Sequence, residues 1–293
     1  MPPLRRNEYV KGHGLGNDYL VVDPRTLGIR LTPRAIRLIC HRHLGVGSDG
    51  ILALERSRRA EFGLRIFNPD GSEAEKSGNG IRIFAKCLWD HGYTRRQAFR
   101  VETKGGVVPV ALDVRRGRVA AITAGIGRAT FRSREVPATG PDREILGERV
   151  TVDGEAVEVT AVSVGNPHCV VFVDDPGSVD LARLGPALEH HRMFPQRTNV
   201  QFVRVDSPSR VTIRIWERGA GETMASGTSS SAVAAACVRH NFTGRRVVVR
   251  SPGGLLRVEV ASDYSIRLTG PVEEVCRGAL SRDLLARLRG GAS

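Results

Sequence analysis

Residues 213–240 read IRIWERGAGETMASGTSSSAVAAACVRH, and the chain contains an earlier copy of the same stretch. Subtracting 149 from the residue numbers superimposes the two copies. The same offset relates two Gly-Asn turns, and an offset of 148 relates two Gly-Gly pairs. Because one offset rarely recurs at four separate sites by chance, the pattern predicts a duplicated domain with two matching half-sites. The matched segments are Arg214-Ile215-Trp216 with Arg65-Ile66-Phe67, Glu217 with Asn68, Ser226-Gly227-Thr228 with Ser77-Gly78-Asn79, Gly165-Asn166 with Gly16-Asn17, and Gly253-Gly254 with Gly105-Gly106.

Each copy has the same local pattern: an alternating apolar strand, a polar Gly-rich loop and then an apolar helical run, over 81–89 and 232–238. Ser77 and Ser226 precede these runs at the position of a helix N-cap, where the first-turn N–H groups have no intrahelical partner. Two helix starts facing one cleft would bind a carboxylate and would favour the charged form of a side chain at the cap. A ligand approached from both faces has the arrangement needed to invert a stereocentre.

The many short strands and the two apolar helical runs predict an α+β fold. A helix that lacks a polar stripe must be enclosed. We therefore expect two pseudo-symmetric domains, each a curved, mostly antiparallel sheet wrapped around a central helix, with an active-site cleft between them. The expected boundaries are 1–119 for the first domain, joined by the C-terminal segment 279–293, and 120–278 for the second.

Length and composition predict a globular protein of two domains, soluble and cytoplasmic. The 293 residues suit two domains, and 41% hydrophobic content supplies a core for each. No run of 18 apolar residues occurs, and the N-terminus MPPLRRNEYVKG lacks the apolar stretch of a signal peptide, so we expect a soluble cytoplasmic protein without a membrane partner. The five cysteines show neither CxxC pairing nor metal-ligand spacing, which predicts reduced, mostly buried thiols and no metal site.

The net charge of +13 does not indicate a nucleic-acid partner. Only four of the 44 basic residues are lysines, the arginines are scattered through every segment, and no nucleic-acid motif accompanies them. The glycines at 12, 14 and 16 lead into a strand, whereas a dinucleotide fingerprint leads into a helix. We therefore expect no nucleotide cofactor.

Individual elements follow from local signals. The pattern predicts a helix over 32–44, a helix over 179–191, a strand over 266–275 and an amphipathic helix over 281–289. His41 and His43, two residues apart at the end of the first helix, cannot share a helix face, so a metal pair is not expected there.

Three polar side chains in or just after Gly-Asn turns are candidates for ligand binding. Asn17 and Asn166 stand in the two matched Gly-Asn turns, and an amide side chain offers both a donor and an acceptor to a zwitterionic ligand. A single such turn favours a role in turn geometry only; the second, matched turn favours function. His168 follows Gly-Asn-Pro, where a structural role and a ligand-binding or electrostatic role are both open.

The segments KGHGLGNDY, FNPDGSEAEKSGNGIR, VGNPH, RTNVQFV and ERGAGETMASGTSSSA together resemble the motifs of the diaminopimelate epimerase family, in order and over nearly the whole chain. The resemblance implies a two-domain fold and a cofactor-free isomerase that interconverts LL- and meso-diaminopimelate in lysine and cell-wall biosynthesis. The substrate is then a small amino acid.

Carried over residue by residue, the resemblance implies three groups of site residues. An arginine fork and amide side chains suit a zwitterion. The distal amino-acid group would be held by Asn17, Asn68, Asn166, Asn199 and Arg218; the reacting carboxylate would accept backbone N–H groups of Gly78-Asn79 and Gly227-Thr228; His168 and Glu217 would lie beside the reacting centre.

The chain departs from the family at both catalytic positions, where Ser77 and Ser226 stand in place of two cysteines. A helix N-terminus is worth roughly 0.3–2 kcal/mol, which lowers a pKa by at most about 1.5. That suffices to make a thiolate from a thiol with a pKa near 8.5, but not an alkoxide from a hydroxyl. A serine needs a neighbouring base, and Glu217 and His168 are the candidates.

Three functions therefore stay open. The first is an epimerase of this family, with unusual chemistry or as a cysteine-to-serine variant. The second is a protein that binds a diamino acid without turning it over. The third is an elimination in which His168 or Glu217 removes a proton from one face only. The serine run 229–231 indicates a second loop that has drifted, and the sequence leaves open whether the chain forms a homodimer.

Overall fold

The computed structural model describes residues 1–290, which form two compact units. One unit comprises Met1–Ala124 and the C-terminal segment that begins at Gly270; the other is Gly125–Thr269. Each unit is built mainly of strands and contains one long, enclosed helix. The fold is α+β, as predicted.

The first unit contains strands β1 to β7, the larger part of β8 and helices α1 and α2, followed after the second unit by β18 and α5; the last four residues of β8 belong to the second unit. Their bounds are β1 Glu8–Gly14, β2 Asn17–Val22, α1 Pro33–Cys40, β3 Ile51–Glu55, β4 Phe62–Phe67, β5 Glu73–Ala74, α2 Gly78–Asp90, β6 Ala98–Thr103, β7 Gly106–Arg115, β8 Arg118–Arg128, β18 Glu273–Ala279 and α5 Arg282–Arg289.

The second unit contains strands β9 to β17, helices α3 and α4, and a 3₁₀ turn at Pro176–Ser178. Their bounds are β9 Glu148–Val152, β10 Glu155–Ser163, β11 Pro167–Phe172, α3 Leu181–Glu189, β12 Asn199–Ser207, β13 Arg210–Glu217, β14 Gly221–Thr223, α4 Gly227–Arg239, β15 Arg246–Ser251, β16 Gly254–Val260 and β17 Ser265–Gly270.

The strand pairing of the two units is the same, which bears out the duplication. In the first unit β2 is parallel to β3, β3 is antiparallel to β4, β4 is parallel to β6, and β6 is antiparallel to β7. In the second unit the same relations hold for β11 with β12, β12 with β13, β13 with β15, and β15 with β16. Helices α2 and α4 enter between equivalent strands.

Both central helices are enclosed because their sequences leave no polar face. In α2 the side chains of Ile81, Phe84 and Leu88 are buried in a core that strands β1 to β8 complete. In α4 every residue from Ser229 to Cys237 is buried. Small residues make up most of α4, so strands of its own unit pack closely against the helix backbone. The prediction of an enclosed helix in each unit is confirmed.

Several predicted boundaries were wrong. The first helix ends at Cys40, not Leu44, because the His41 ring accepts the N–H groups of the next turn; His41 and His43 therefore lie beyond the helix. The helix predicted over 179–191 is Leu181–Glu189, with Asp180 as its N-cap. The strand predicted over 266–275 is two strands, β17 and β18, because Pro271 between them cannot donate a ladder hydrogen bond.

The cysteines are free thiols. Cys40, Cys87, Cys169 and Cys237 are buried and Cys276 is exposed. Burial raises the pKa of all four buried thiols, that of Cys237 to about 12. Within residues 1–290 no three His, Cys, Asp or Glu side chains gather as a metal site, and no helix combines the length and apolar character needed to cross a membrane.

Candidate active site

Ser77 and Ser226 are the N-caps of α2 and α4, and their backbones are nearly identical. Ser77 has φ −143° and ψ 116°, and its Oγ accepts the Gly80 N–H at 3.0 Å. Ser226 has φ −139° and ψ 128°, and its Oγ accepts the Ser229 N–H at a longer 3.4 Å. An extended cap residue leaves the first-turn N–H groups at the helix start without an intrahelical partner. Each helix start can therefore donate to an anion.

Those donors belong to the residues that the family resemblance implies for binding the reacting carboxylate. Gly78 and Asn79 form the first two positions of α2, and Gly227 and Thr228 those of α4. All but Thr228 are buried. In each unit, two successive N–H groups thus stand next to the cap serine, at the positive end of the helix dipole.

The remaining contacts of the cap hydroxyls are with other hydroxyls. Ser77 Oγ donates to the Tyr19 hydroxyl at 3.4 Å, and Ser226 Oγ lies 3.4 Å from Thr228 Oγ1. A hydroxyl has a pKa far above that of a carboxylate or imidazole, so neither contact activates the serine as a base.

In the first unit, a series of hydrogen bonds joins two of the predicted asparagines. Asn79 Nδ2 donates to Asn17 Oδ1 at 3.3 Å, and Asn17 Nδ2 donates to Asp49 Oδ2 at 2.9 Å. The other oxygen of Asp49 accepts from Arg42 Nη2 at 2.7 Å. Asn79 Oδ1 accepts from Arg82 Nη2 at 2.7 Å. The structure thus brings Asn17 and Asn79 together at the start of α2.

Asn68 belongs to a neighbouring turn of the same unit. It follows β4, and both its backbone N–H and its Nδ2 bond to Ser72, at 2.9 Å each. The Asp70 carboxylate accepts from Ser72 and closes the turn. Asn68 is therefore ordered by its own loop, apart from the Asn17 series.

His168 is a buried histidine of the second unit whose pKa is far from its ordinary value. It is fully buried in β11, opposite Asn199 in the parallel pairing with β12, and its Nε2 lies 3.0 Å from Asn166 Oδ1. Burial lowers the pKa of His168 to about 3; hydrogen bonding to Gln201 opposes this change and the charge of Arg218 adds to it. The ring is therefore neutral at pH 7, and a group with so low a pKa is a weak base.

The amides of Asn166 and Gln201 flank the imidazole ring of His168. Gln201 Nε2 donates to Ser229 Oγ at 3.1 Å, and Gln201 Oε1 and His168 Nδ1 are buried without a hydrogen-bond partner among the described residues. A proton on Nδ1 would let the ring donate to Gln201 Oε1, which is the direction in which Gln201 raises the pKa of His168. A proton on Nε2 would let the ring donate to Asn166 Oδ1.

Asn199 connects β11 to the loop that carries Arg218. Asn199 Nδ2 donates to Pro167 O at 2.8 Å, and its Oδ1 accepts the Arg218 backbone N–H at 3.0 Å. The Arg218 guanidinium donates to Gln196 O at 3.0 Å and, as a side chain with five donors, has further donors for a carboxylate.

A buried carboxylate holds the same loop in place. Glu189 is 3% exposed; its oxygens accept the Trp216 indole N–H at 2.7 Å and the Gly219 backbone N–H at 3.0 Å. Glu217 lies between Trp216 and Gly219 in the sequence, and its carboxylate accepts the Thr223 hydroxyl at 2.7 Å. The structure therefore fixes the loop on both sides of Arg218.

Four residues that hold the predicted site residues in place were not predicted from the sequence: Arg82, Asp49, Gln201 and Glu189. A signal existed for Arg82 only. It is a charged residue inside an apolar helical run with no polar stripe, and it is fully buried. The partners of the other three lie far away in the sequence, so nothing local marks them.

Comparison with known proteins gives a consistent family. The family model described as diaminopimelate epimerase matches residues 9–131 and 160–275. The chain is 44% identical over 280 residues to diaminopimelate epimerase 2 of Nostoc sp., covering 95% of this chain and 97% of that protein. It is 42% identical over 284 residues to the diaminopimelate epimerase of Desulfitobacterium hafniense, covering 95% and 100%.

Solved structures share the fold at low sequence identity. A hydroxyproline epimerase from Agrobacterium vitis superimposes with a TM-score of 0.70 at 16% identity, covering 96% of this chain and 92% of that one. A phenazine biosynthesis protein of the PhzF family from Bacillus anthracis gives 0.68 at 18% identity, covering 95% and 100%. These likenesses concern the fold alone.

Proposed function

The chain belongs to the diaminopimelate epimerase family, and we propose that it interconverts LL- and meso-diaminopimelate without a cofactor, as an isomerase of lysine biosynthesis. The observation that carries the proposal is the pair of equivalent helix starts. Ser77 and Ser226 have the same cap conformation, and each is followed by two residues whose N–H groups suit one carboxylate oxygen.

We propose that both helix starts act on one bound amino acid, from its two faces. The reacting carboxylate accepts from Gly78-Asn79 and Gly227-Thr228. The distal amino-acid group is held by the amides and the guanidinium described above, which offer donors to its carboxylate and acceptors to its ammonium group. The residues in this second group are Asn17, Asn68, Asn166, Asn199 and Arg218.

The proposed reaction removes one proton from Cα and adds one to the opposite face of the same carbon. The Cα–H bond breaks on one face, its electron pair is delocalised into the carboxylate, and the proton passes to a base. A proton is then delivered to the opposite face of the same carbon, which returns the enzyme to its starting protonation after exchange with water. N–H donors aimed at the carboxylate stabilise the charge that develops there.

The removal of the Cα proton is the step in which a serine hydroxyl differs from a thiolate, because the hydroxyl needs a separate base. The low pKa of His168 makes its neutral ring a weak acceptor, so we propose that Glu217 is the base that accepts the proton through a serine hydroxyl on one face of the substrate. A hydroxyl relayed to a carboxylate transfers a proton more slowly than a thiolate does. We therefore expect slow epimerisation.

The two serines also support a second candidate, a protein that binds a diamino acid without turnover. Both candidates need the same contacts to the distal group, and they differ only in whether the α-proton exchanges.

Incubation of the chain with LL-diaminopimelate in D₂O separates them. We expect deuterium at one α-carbon together with formation of the meso isomer, measured by mass spectrometry and chiral chromatography. The matched control is the double variant Ser77→Ala/Ser226→Ala, which keeps the backbone donors and is expected to bind without exchange. If the unsubstituted chain binds diaminopimelate with heat in calorimetry but leaves it free of deuterium, the second candidate is established. If there is no heat of binding, both candidates are excluded.

The homodimer, the cofactor independence and the cytoplasmic location stay predictions. Light scattering, activity after exhaustive dialysis against a chelator, and cell fractionation test them in turn.

A further inference from the structure

A fully buried arginine lies beneath the start of α2 in the first unit. Arg82 is 0% exposed, its Nη1 donates to Gly78 O at 3.1 Å and its Nη2 donates to Asn79 Oδ1 at 2.7 Å. Nε has no hydrogen-bond partner among residues 1–290. Burial lowers the pKa of Arg82 to about 10, so the group stays charged at pH 7. Burying a charge among neutral groups costs free energy. Filling space in the core therefore does not explain why an arginine stands at this position.

The equivalent residue of the second unit shows what the scaffold alone requires. The offset of 149 places Arg82 on Ser231, whose Oγ donates to Gly227 O at 2.8 Å. In both helices, therefore, the carbonyl of the first residue accepts from the side chain four residues later. A serine is sufficient for this bond. The charge and the second donor of Arg82 have no counterpart in α4.

Arg82 and Asp49, at the two ends of the amide series, require the same direction of its hydrogen bonds. A guanidinium can only donate, so Asn79 must present its Oδ1 to Arg82 and its Nδ2 to Asn17. Asn17 must then present Oδ1 to Asn79 and Nδ2 to Asp49, whose carboxylate can only accept. With a pure donor at one end and a pure acceptor at the other, each amide has one allowed orientation.

We propose that Arg82 is a positioning residue: through its bond to Asn79 it fixes the orientations of the Asn79 and Asn17 amides, and so the pattern of donors and acceptors that the first half-site offers to a diamino acid. The ligand part of this inference rests on the proposed function; the orientation part does not.

The orientation is tested without ligand by the side-chain amide signals of Asn79 and Asn17 in ¹⁵N-labelled protein, assigned by their loss in Asn79→Asp and Asn17→Asp. We expect Arg82→Met to move or broaden both signals. The matched control Ser231→Ala should leave them in place, because Ser231 bonds only a carbonyl. Unchanged Asn79 and Asn17 signals in folded Arg82→Met would overturn the proposal.

Calorimetric titration with meso-diaminopimelate then tests the consequence. We expect Arg82→Met to raise Kd about tenfold or more, as loss of a charged hydrogen bond does, and Ser231→Ala to change it less than about twofold. In an Asn79→Ala background, Arg82→Met should add almost nothing, because the arginine acts through that amide. Equal losses in both backgrounds would refute this.

Two failures of these experiments still leave a decisive measurement. If Arg82→Met does not fold, Arg82→Lys replaces it in the same measurements, because lysine keeps the charge but lacks the two-pronged guanidinium. We then expect an intermediate Kd and a displaced Asn79 signal. If the natural chain gives no heat with meso-diaminopimelate, the proposed function fails while the amide signals still decide the role of Arg82.

Discussion

Replacing both cap serines by cysteine should turn a slow proton transfer into a fast one. At Ser77 the cap Oγ accepts the Gly80 N–H at 3.0 Å, and at Ser226 it accepts the Ser229 N–H at 3.4 Å. A sulfur at the same place lies at the positive end of the helix dipole, which is worth up to about 2 kcal/mol for an anion. That lowers a thiol pKa from about 8.5 to about 7, and the thiolate fraction at pH 7 rises from about 3% to about half.

The two introduced thiols should differ in acidity. The buried charge of Arg82 lies one turn into α2, whereas α4 has the neutral Ser231 at that position. The thiol from Ser77→Cys is therefore expected to have the lower pKa, measured by the pH dependence of alkylation in each single variant. A lower pKa for the thiol from Ser226→Cys would contradict the electrostatic asymmetry.

The assay is Cα–H exchange and isomer formation with LL-diaminopimelate. General acid–base catalysis contributes about 10²–10⁴-fold, so Ser77→Cys/Ser226→Cys is expected to exceed the natural chain by at least about a hundredfold. Each single variant should reach much less, since one face still lacks a thiol. Intact binding with no gain in the double variant would refute the reasoning, because the pocket would then have diverged beyond two atoms.

Three other perturbations have outcomes set by the structure. Ser77→Ala or Ser226→Ala removes a cap and should cost about 1 kcal/mol, lowering the Tm of this 293-residue chain by about 2 °C in a thermal scan. The pKa of His168 is about 3 when folded and near 6.5 when unfolded, so the unfolded chain binds the extra proton and stability should fall as pH drops below 6.5. At pH 5 this loss is about 2 kcal/mol, and His168→Asn should lack it in urea unfolding; an identical pH profile would count against a buried neutral ring. Glu189→Gln loses acceptor capacity for Trp216 and should weaken diaminopimelate binding through the Arg218 loop, measured by calorimetry, with little change in the pH profile of exchange.

The duplication and both caps could be predicted because their signals are local. A serine before Gly and an apolar run specifies an N-cap wherever the helix packs, and Ser77 and Ser226 both have that conformation. The β1–β2 turn was equally readable. Leu15 and Gly16 both have positive φ, as a two-residue hairpin turn requires, and this places Asn17 at the start of β2.

The contacts that orient the site could not be predicted, because they join residues distant in the sequence. Asn17 bonds Asp49 and Asn79, 32 and 62 residues away, and only the folded sheet brings them together. The error at Pro271 has a different cause: the apolar alternation continues across it, and only the missing N–H separates β17 from β18.

The residues that the two repeats share are those that the proposed proton transfer requires, and the residues in which they differ suit recognition of the substrate. The cap serine and the glycine after it are the same in both units, as the proposed pair of carboxylate-binding helix starts requires. Around them the copies differ: the offset of 149 sets Tyr19 against His168 and Arg82 against Ser231. LL- and meso-diaminopimelate are identical in composition and differ in one stereocentre, so a protein that acts on them must treat the two ends of the molecule differently. Under the proposed function, the positions at which the copies differ, Arg82 and Ser231 among them, distinguish the distal end of the substrate from the reacting end.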